Sequence, residues 1–143
     1  MLMKNHILRL FLVVFAMGTI FVGVSHAQSS SGYAGTWYSA SAGTTISVSE
    51  KDGFVDVLGK DDASIYSCSG IIERSVEGTF VECYGSGMNH VINQRFFYKS
   101  RLKMIEKGQV MEETWEARFA NGNEIKKITG DSTFRRKKPE TKR

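Results

Sequence analysis

The sequence has little proline and histidine, and it lacks the residue patterns of common catalytic and metal sites. Its one proline is Pro139, and His90 is the single histidine after residue 27. No Cys-x-x-Cys, His-Glu-x-x-His or glycine-rich phosphate loop is present, and no nucleophile–histidine–carboxylate set can be assembled. We therefore expect a non-catalytic protein with no metal site, no cofactor and no catalytic residue.

Long apolar runs are missing after residue 24. The 15-residue run from Leu10 to Val24 follows Lys4 and Arg9 and precedes Ser25-His26-Ala27, which has small residues where a signal peptidase cleaves. The run is shorter than the about 20 residues of a membrane-spanning helix. The sequence predicts a signal peptide at 1–27, cleavage near Ala27, and export to the periplasm or the extracellular space without a membrane span.

Excess positive charge is confined to one end of the chain. Residues 135–143 contain six Lys/Arg and one Glu, whereas residues 28–134 contain 11 Lys/Arg and 14 Asp/Glu. The net charge of +4 therefore does not indicate a nucleic-acid-binding face. We expect a single domain at 28–134, a basic disordered tail at 135–143, and no nucleic-acid partner.

Cysteine is rare as well, with Cys68 and Cys83 as the two in the chain. An even pair in an exported protein favours a disulfide bond. A metal-binding role is less favoured, because no histidine lies near either cysteine in the sequence.

Helical periodicity is absent, and alternating polar and apolar residues recur between turn signals. The clearest unit is 94–119, in which Lys107-Gly108 predicts a hairpin turn. The resulting register places opposite charges together on one face and apolar residues on the other. It pairs Lys103 with Glu112 and Lys99 with Glu116 outside, and Phe96 with Phe119, Tyr98 with Ala117 and Met104 with Met111 inside.

Similar short segments occupy the rest of the chain. The predicted strands are Gly35–Ser41, Thr45–Glu50, Phe54–Gly59, Ser64–Ile72, Thr79–Gly85, the two strands of the 94–119 hairpin, and Glu124–Arg135. Eight consecutive strands joined by tight turns favour an all-β, eight-stranded antiparallel up-and-down β-barrel, because closure removes exposed sheet edges. A β-sandwich is the alternative.

Both ends of the chain resemble known barrels. "GTWYSASAGTTISVS" at 35–49 resembles the first hairpin of avidin-type barrels and, through Gly-x-Trp, of lipocalins. "KKITGDSTFRRKKP" at 126–139 resembles the last strand of bacterial avidins, and "QVMEETW" at 109–115 is similar to their penultimate strand. The resemblance covers the ends and not the middle. It implies a calycin-type barrel with one ligand inside.

The resemblance also implies roles for single residues. In an up-and-down barrel the first strand neighbours the last, so we expect Trp37 to close one end beside Phe134, with Arg135 stacked on its indole. On the ligand side, Thr44 keeps a hydroxyl and Trp115 keeps an aromatic ring. Other positions depart from the avidin pattern and argue against biotin: Ser39 replaces an asparagine, Ser132 replaces an aspartate beside Asp131, and Glu124 replaces the tryptophan supplied by a neighbouring subunit.

Glu113 is the one carboxylate that the hairpin register points inward, between Met111 and Trp115. A buried unpaired carboxylate is costly, so it requires a partner. Three partners are possible: water at the barrel mouth, an internal residue such as Tyr98 that donates a hydrogen bond, or a polar or cationic ligand.

These patterns predict an exported binding protein that holds a small, partly apolar ligand inside the barrel. The predicted ligand-binding residues are Ser39, Thr44, Tyr98, Ser100, Glu113, Trp115 and Ser132. The alternative is a small inhibitor or immunity protein that acts on an exported protein partner through two loops, Ser39–Thr45 and Ser86–Asn93, the second of which contains His90.

Overall fold

The computed structural model describes residues 31–138, which form eight strands and no helix. The predicted signal peptide at 1–27 and residues 139–143 of the predicted tail lie outside the described residues. The strands are β1 (Gly35–Ser39), β2 (Thr44–Lys51), β3 (Phe54–Lys60), β4 (Ser64–Ser75), β5 (Gly78–Asn89), β6 (Gln94–Glu106), β7 (Val110–Asn121) and β8 (Glu124–Arg136). Each pairs antiparallel with the next, and β1 pairs with β8 to close the barrel. The predicted fold class is confirmed.

The β6–β7 hairpin has the predicted register from Phe96–Phe119 to Met104–Met111. A bulge between Met104 and Glu106 then shifts the pairing by one residue before the turn. The predicted outer charge pairs are neighbours in the register of β6 and β7. The ion pairs that Lys99 and Glu116 form, however, are with residues of β5 and β8. Lys99 Nζ lies 3.7 Å from Glu82, and Lys127 Nζ lies 2.7 Å from Glu116.

The β2–β3 hairpin shows how local sequence sets the turns. Asp52 and Gly53 both have positive φ angles, 54° and 82°. Positive φ at both central residues is the geometry that matches the twist of antiparallel strands, and Asp-Gly is a preferred sequence for it.

Apolar side chains close one end of the barrel around Trp37. Its side chain is fully buried, and its indole Nε1–H donates a 2.8 Å hydrogen bond to the carbonyl of Tyr33. The Tyr33 hydroxyl donates in turn to the carbonyls of Thr79 and Leu102, at 2.8 and 3.1 Å. Burial raises the pKa of Tyr33 to about 12, so this hydroxyl keeps its proton at neutral pH.

The arginine that covers Trp37 is Arg136, and the prediction of Arg135 was wrong. The guanidinium carbon of Arg136 lies 4.5 Å from the indole centroid, and its nitrogens donate to the carbonyls of Gly32, Ala34 and Gly108. Side chains alternate along β8, so Phe134 is buried inside whereas Arg135 is exposed. The last strand therefore runs two residues past the predicted domain boundary at 134.

A disulfide joins β4 to β5 on the inner face of the barrel. Cys68 and Cys83 are bonded and buried, with their Cα atoms 5.5 Å apart. The predicted pairing is confirmed, and the bond indicates an oxidising environment.

The second predicted loop, Ser86–Asn93, is mostly strand. β5 continues to Asn89, and only residues 90–93 form the turn to β6. The glycine in this stretch, Gly87, makes room for a ring instead of forming a loop, because a Cβ there would lie 2.3 Å from Cζ of Phe96. His90 is exposed in the turn, with Nε2 2.9 Å from the carbonyl oxygen of Asp62.

Candidate ligand-binding site

A cavity of about 440 Å³ occupies the end of the barrel opposite Trp37. Residues of the β1–β2 and β3–β4 connections and the end of β5 form its mouth. Its lining residues are Ser41, Ala42, Thr44, Asp61, Ser64, Tyr66, Asn89, Phe96, Tyr98, Glu113, Trp115, Ala117, Phe119, Ile128, Asp131 and Ser132. The volume falls in the range of small-molecule sites.

Aromatic rings from β4, β6 and β7 form the cavity wall. The ring centroids of Tyr66 and Tyr98 are 4.5 Å apart, those of Tyr98 and Trp115 are 6.5 Å apart, and those of Phe96 and Phe119 are 5.1 Å apart. Such mutually packed rings form a stiff surface, since each ring restricts the rotation of its neighbours.

Glycines behind the wall leave the space that the rings need. A Cβ on Gly59 would lie 2.1 Å from Cζ of Tyr66, and a Cβ on Gly130 would lie 2.6 Å from Cζ2 of Trp115. Real Cβ atoms do not approach so closely, so these rings lie directly against the neighbouring backbone. Because the rings lie close to the strands, the space between them stays open as the cavity.

Glu113 contributes a buried carboxyl to this wall. Its side chain is 4% exposed, and its Oε1 accepts a 2.7 Å hydrogen bond from the Tyr98 hydroxyl. Within residues 31–138 no hydrogen bond to its Oε2 is found. Burial raises the pKa of Glu113, while the hydroxyls of Tyr98 and Ser100 act in the opposite direction. One of the three open partners, an internal tyrosine, is thus present.

The hydroxyls of Tyr66 and Tyr98 near Glu113 stay protonated, because the pKa of each is raised. Burial, and then the nearby Glu113 charge, raises the pKa of Tyr98 and also that of Tyr66. Ser100 Oγ is near enough to Glu113 to favour its charged form, yet it makes no hydrogen bond with any described residue. The cluster therefore offers hydrogen-bond donors to the carboxylate but no positive charge.

The cavity is acidic in character. The carboxylates of Asp61 and Glu113 line it, and its lining contains no lysine, arginine or histidine among the residues that the structure places. Asp131 also borders the cavity, but it is exposed and pairs with the outer-face residue Thr114. The Asp61 carboxylate also orders the mouth, because its Oδ1 accepts 2.7 Å hydrogen bonds from the backbone N–H groups of Ala63 and Ser64.

Most of the predicted ligand-binding residues lie together in this cavity. Thr44, Tyr98, Glu113, Trp115 and Ser132 line it, and their contact with a ligand stays a prediction. The other two are buried but do not line it: Ser39, whose Oγ lies 3.2 Å from Oγ of Ser41, and Ser100.

Sequence reasoning missed several lining residues, of which Tyr66 is the largest. Strand alternation contains the signal for it. Cys68 faces the barrel interior, so Tyr66, two residues earlier on β4, faces it too. Asp61, Ser64, Asn89 and Phe119 were missed as site residues, three of them because they lie where strands enter or leave turns.

No protein-family model matches the sequence, and no curated protein or solved structure is significantly similar to it. Along residues 31–138 there is no helix of the length and apolar character that crossing a membrane would take. The same residues contain no group of three or more His, Cys, Asp or Glu side chains placed to hold a metal ion.

Proposed function

We propose that this is an exported, non-catalytic binding protein that holds one small, partly apolar molecule inside its barrel. The observation that carries the proposal is the cavity itself, of about 440 Å³, with aromatic walls and a few polar groups. Binding sites for small molecules commonly combine apolar walls with a few polar groups that fix the orientation of the ligand. An eight-stranded barrel has room for one such ligand.

The resemblance to avidin-type and lipocalin barrels supports the same class of function. It lies in the Gly-Thr-Trp opening of β1 and in the sequence of β8. The residues that depart from the avidin pattern, Ser39 and Ser132, point to a ligand other than biotin. A fold is often shared by proteins that bind different molecules.

The second candidate function is inhibition of an exported protein through the turns at the barrel mouth. The observation that favours it is apolar exposure in the β5–β6 turn, where Val91 is 71% and Ile92 is 59% exposed. Exposed apolar side chains that lie together can mark a protein-binding surface. In that case, substitution of Val91 and Ile92 by serine abolishes partner capture, whereas changes inside the cavity leave it intact.

Filling the cavity tests the first candidate. Ala117 is buried, lines the cavity and pairs with Tyr98 across the β6–β7 ladder. We expect Ala117→Trp to weaken binding of the neutral apolar dye N-phenyl-1-naphthylamine at least about tenfold, since the new ring takes the space of the ligand. Dye fluorescence during titration is the measurement.

The matched control is Thr114→Trp, which adds the same ring on the exposed outer face of the same strand. It should leave dye affinity unchanged, and circular dichroism checks that both variants fold. Equal affinity in all three proteins, or no dye binding by the unmodified protein, would contradict the proposed function.

A further inference from the structure

We propose that the ligand is a small organic cation, an amine whose ammonium group contacts the Glu113 carboxylate while its apolar part lies among the aromatic rings. This inference rests on the proposed function, because it names the chemical class of the molecule that the cavity holds.

The charge of the cavity is the first support. The chain carries a net charge of +4, yet the described cavity lining includes the carboxylates of Asp61 and Glu113 and no basic side chain. Lys99 and Lys127 face outward, where they form ion pairs, and Arg136 lies at the closed end over Trp37, away from the cavity. An anionic ligand would meet repulsion without any compensating charge, whereas a cation is attracted to every charged group of the lining.

The environment of Glu113 is the second support. The polar groups near it are the hydroxyls of Tyr98 and Ser100 on β6 and of Tyr66 on β4, while Ser132 is its register partner on β8. Only Tyr98 gives it a hydrogen bond within the described chain. A buried carboxylate without a positive partner is unfavourable, so a ligand ammonium that donates to it supplies the interaction that the fold leaves out.

The aromatic wall is the third support. Tyr66, Tyr98 and Trp115 pack around the same carboxyl, with Tyr98 in contact with both of the other rings. The negative faces of aromatic rings attract cations, and tryptophan and tyrosine do so most strongly. A carboxylate set among such rings is suited to a cation with an apolar body and less suited to a neutral alcohol.

Three probes of similar shape and different charge test this inference. Tryptamine, tryptophol and indole-3-acetate share an indole ring and carry an ammonium, a hydroxyl and a carboxylate respectively. By isothermal titration calorimetry at pH 8, we expect tryptamine to bind about 10- to 100-fold more tightly than tryptophol, the range for a hydrogen bond to a charged group. Indole-3-acetate should bind more weakly than either.

A pair of variants connects the preference to Glu113. Glu113→Gln keeps the size of the side chain and removes its charge, so the advantage of tryptamine over tryptophol should disappear. The control, Glu112→Gln, removes an exposed charge from the same strand and should change neither affinity.

The outcomes separate the two proposals. If the naphthylamine dye enters the cavity but tryptamine has no advantage over tryptophol, the cationic ligand is ruled out and the binding cavity stands. The cationic ligand is also ruled out if Glu113→Gln still binds tryptamine more tightly than tryptophol. If the dye does not bind the unmodified protein, both proposals are overturned.

Discussion

Replacing Trp37 with alanine is expected to lower the free energy of unfolding by about 3–5 kcal/mol, the range for removal of a large buried aromatic side chain. Trp37 is fully buried at the closed end, its indole N–H donates to Tyr33, and the guanidinium of Arg136 stacks on its face. Alanine leaves a hole, an unpaired carbonyl and an uncovered arginine at the β1–β8 closure. Urea unfolding followed by circular dichroism measures the loss.

Trp115→Ala provides the comparison, because the chain has two tryptophans in opposite settings. Trp115 is only half-buried and lies in the cavity wall, where one of its sides already faces open space. Its removal should cost less than half as much as removal of Trp37. Similar losses for the two variants would mean that Trp37 does not close the barrel as described.

Replacing Glu113 with glutamine is expected to stabilise the ligand-free protein at neutral and higher pH, by roughly 1–3 kcal/mol, the cost of an incompletely paired buried polar group. The fold raises the pKa of Glu113 above its ordinary value of 4.5. Between 4.5 and the raised value the folded protein binds more protons than the unfolded chain, so its stability falls as pH rises through that window. Below pH 4.5 the side chain is neutral in both states.

The gain from Glu113→Gln should therefore be present at pH 8 and nearly absent at pH 4. Thermal unfolding of the two proteins at both pH values is the measurement, with the exposed Glu112→Gln variant as the control. Destabilisation by Glu113→Gln at pH 8 would show that the charged carboxylate has a compensating partner within the fold. In that case Glu113 would no longer support a cationic ligand.

The fold was predictable where its signals are local. The 94–119 hairpin follows from alternation and from the charges of Lys103 and Glu112, which sit close together in the chain on either side of one turn. Asp52-Gly53 specifies a turn by its backbone preference alone. Neither signal requires knowledge of distant segments.

The barrel closure was less predictable because β1 and β8 lie about one hundred residues apart in the sequence. The start of β8 is exposed on both faces, so charges such as Lys126 and Lys127 obscure its alternation. The prediction that Arg135 stacks on Trp37 missed the arginine that does so, Arg136, by one residue. A shift of one residue in a strand moves a side chain to the opposite face.

The cavity was only partly predictable. Alternation indicates that Tyr98, Glu113 and Trp115 face inward, but the empty volume depends on how rings pack against the wall. That packing depends on Gly59 and Gly130, each on a strand next to the ring it accommodates. In a sequence, such glycines indicate turns or weak strand positions. That they make room for a ring on the neighbouring strand follows only from the structure.

Native mass spectrometry of the protein purified after export, with the Cys68–Cys83 bond intact, tests most directly whether the cavity holds a ligand. We predict an excess mass, of the size of a small organic molecule, that disappears on denaturation and is absent from Ala117→Trp. A ligand-free mass for both proteins, each in complex with the same exported protein, would contradict a small-molecule binding protein and favour the inhibitor.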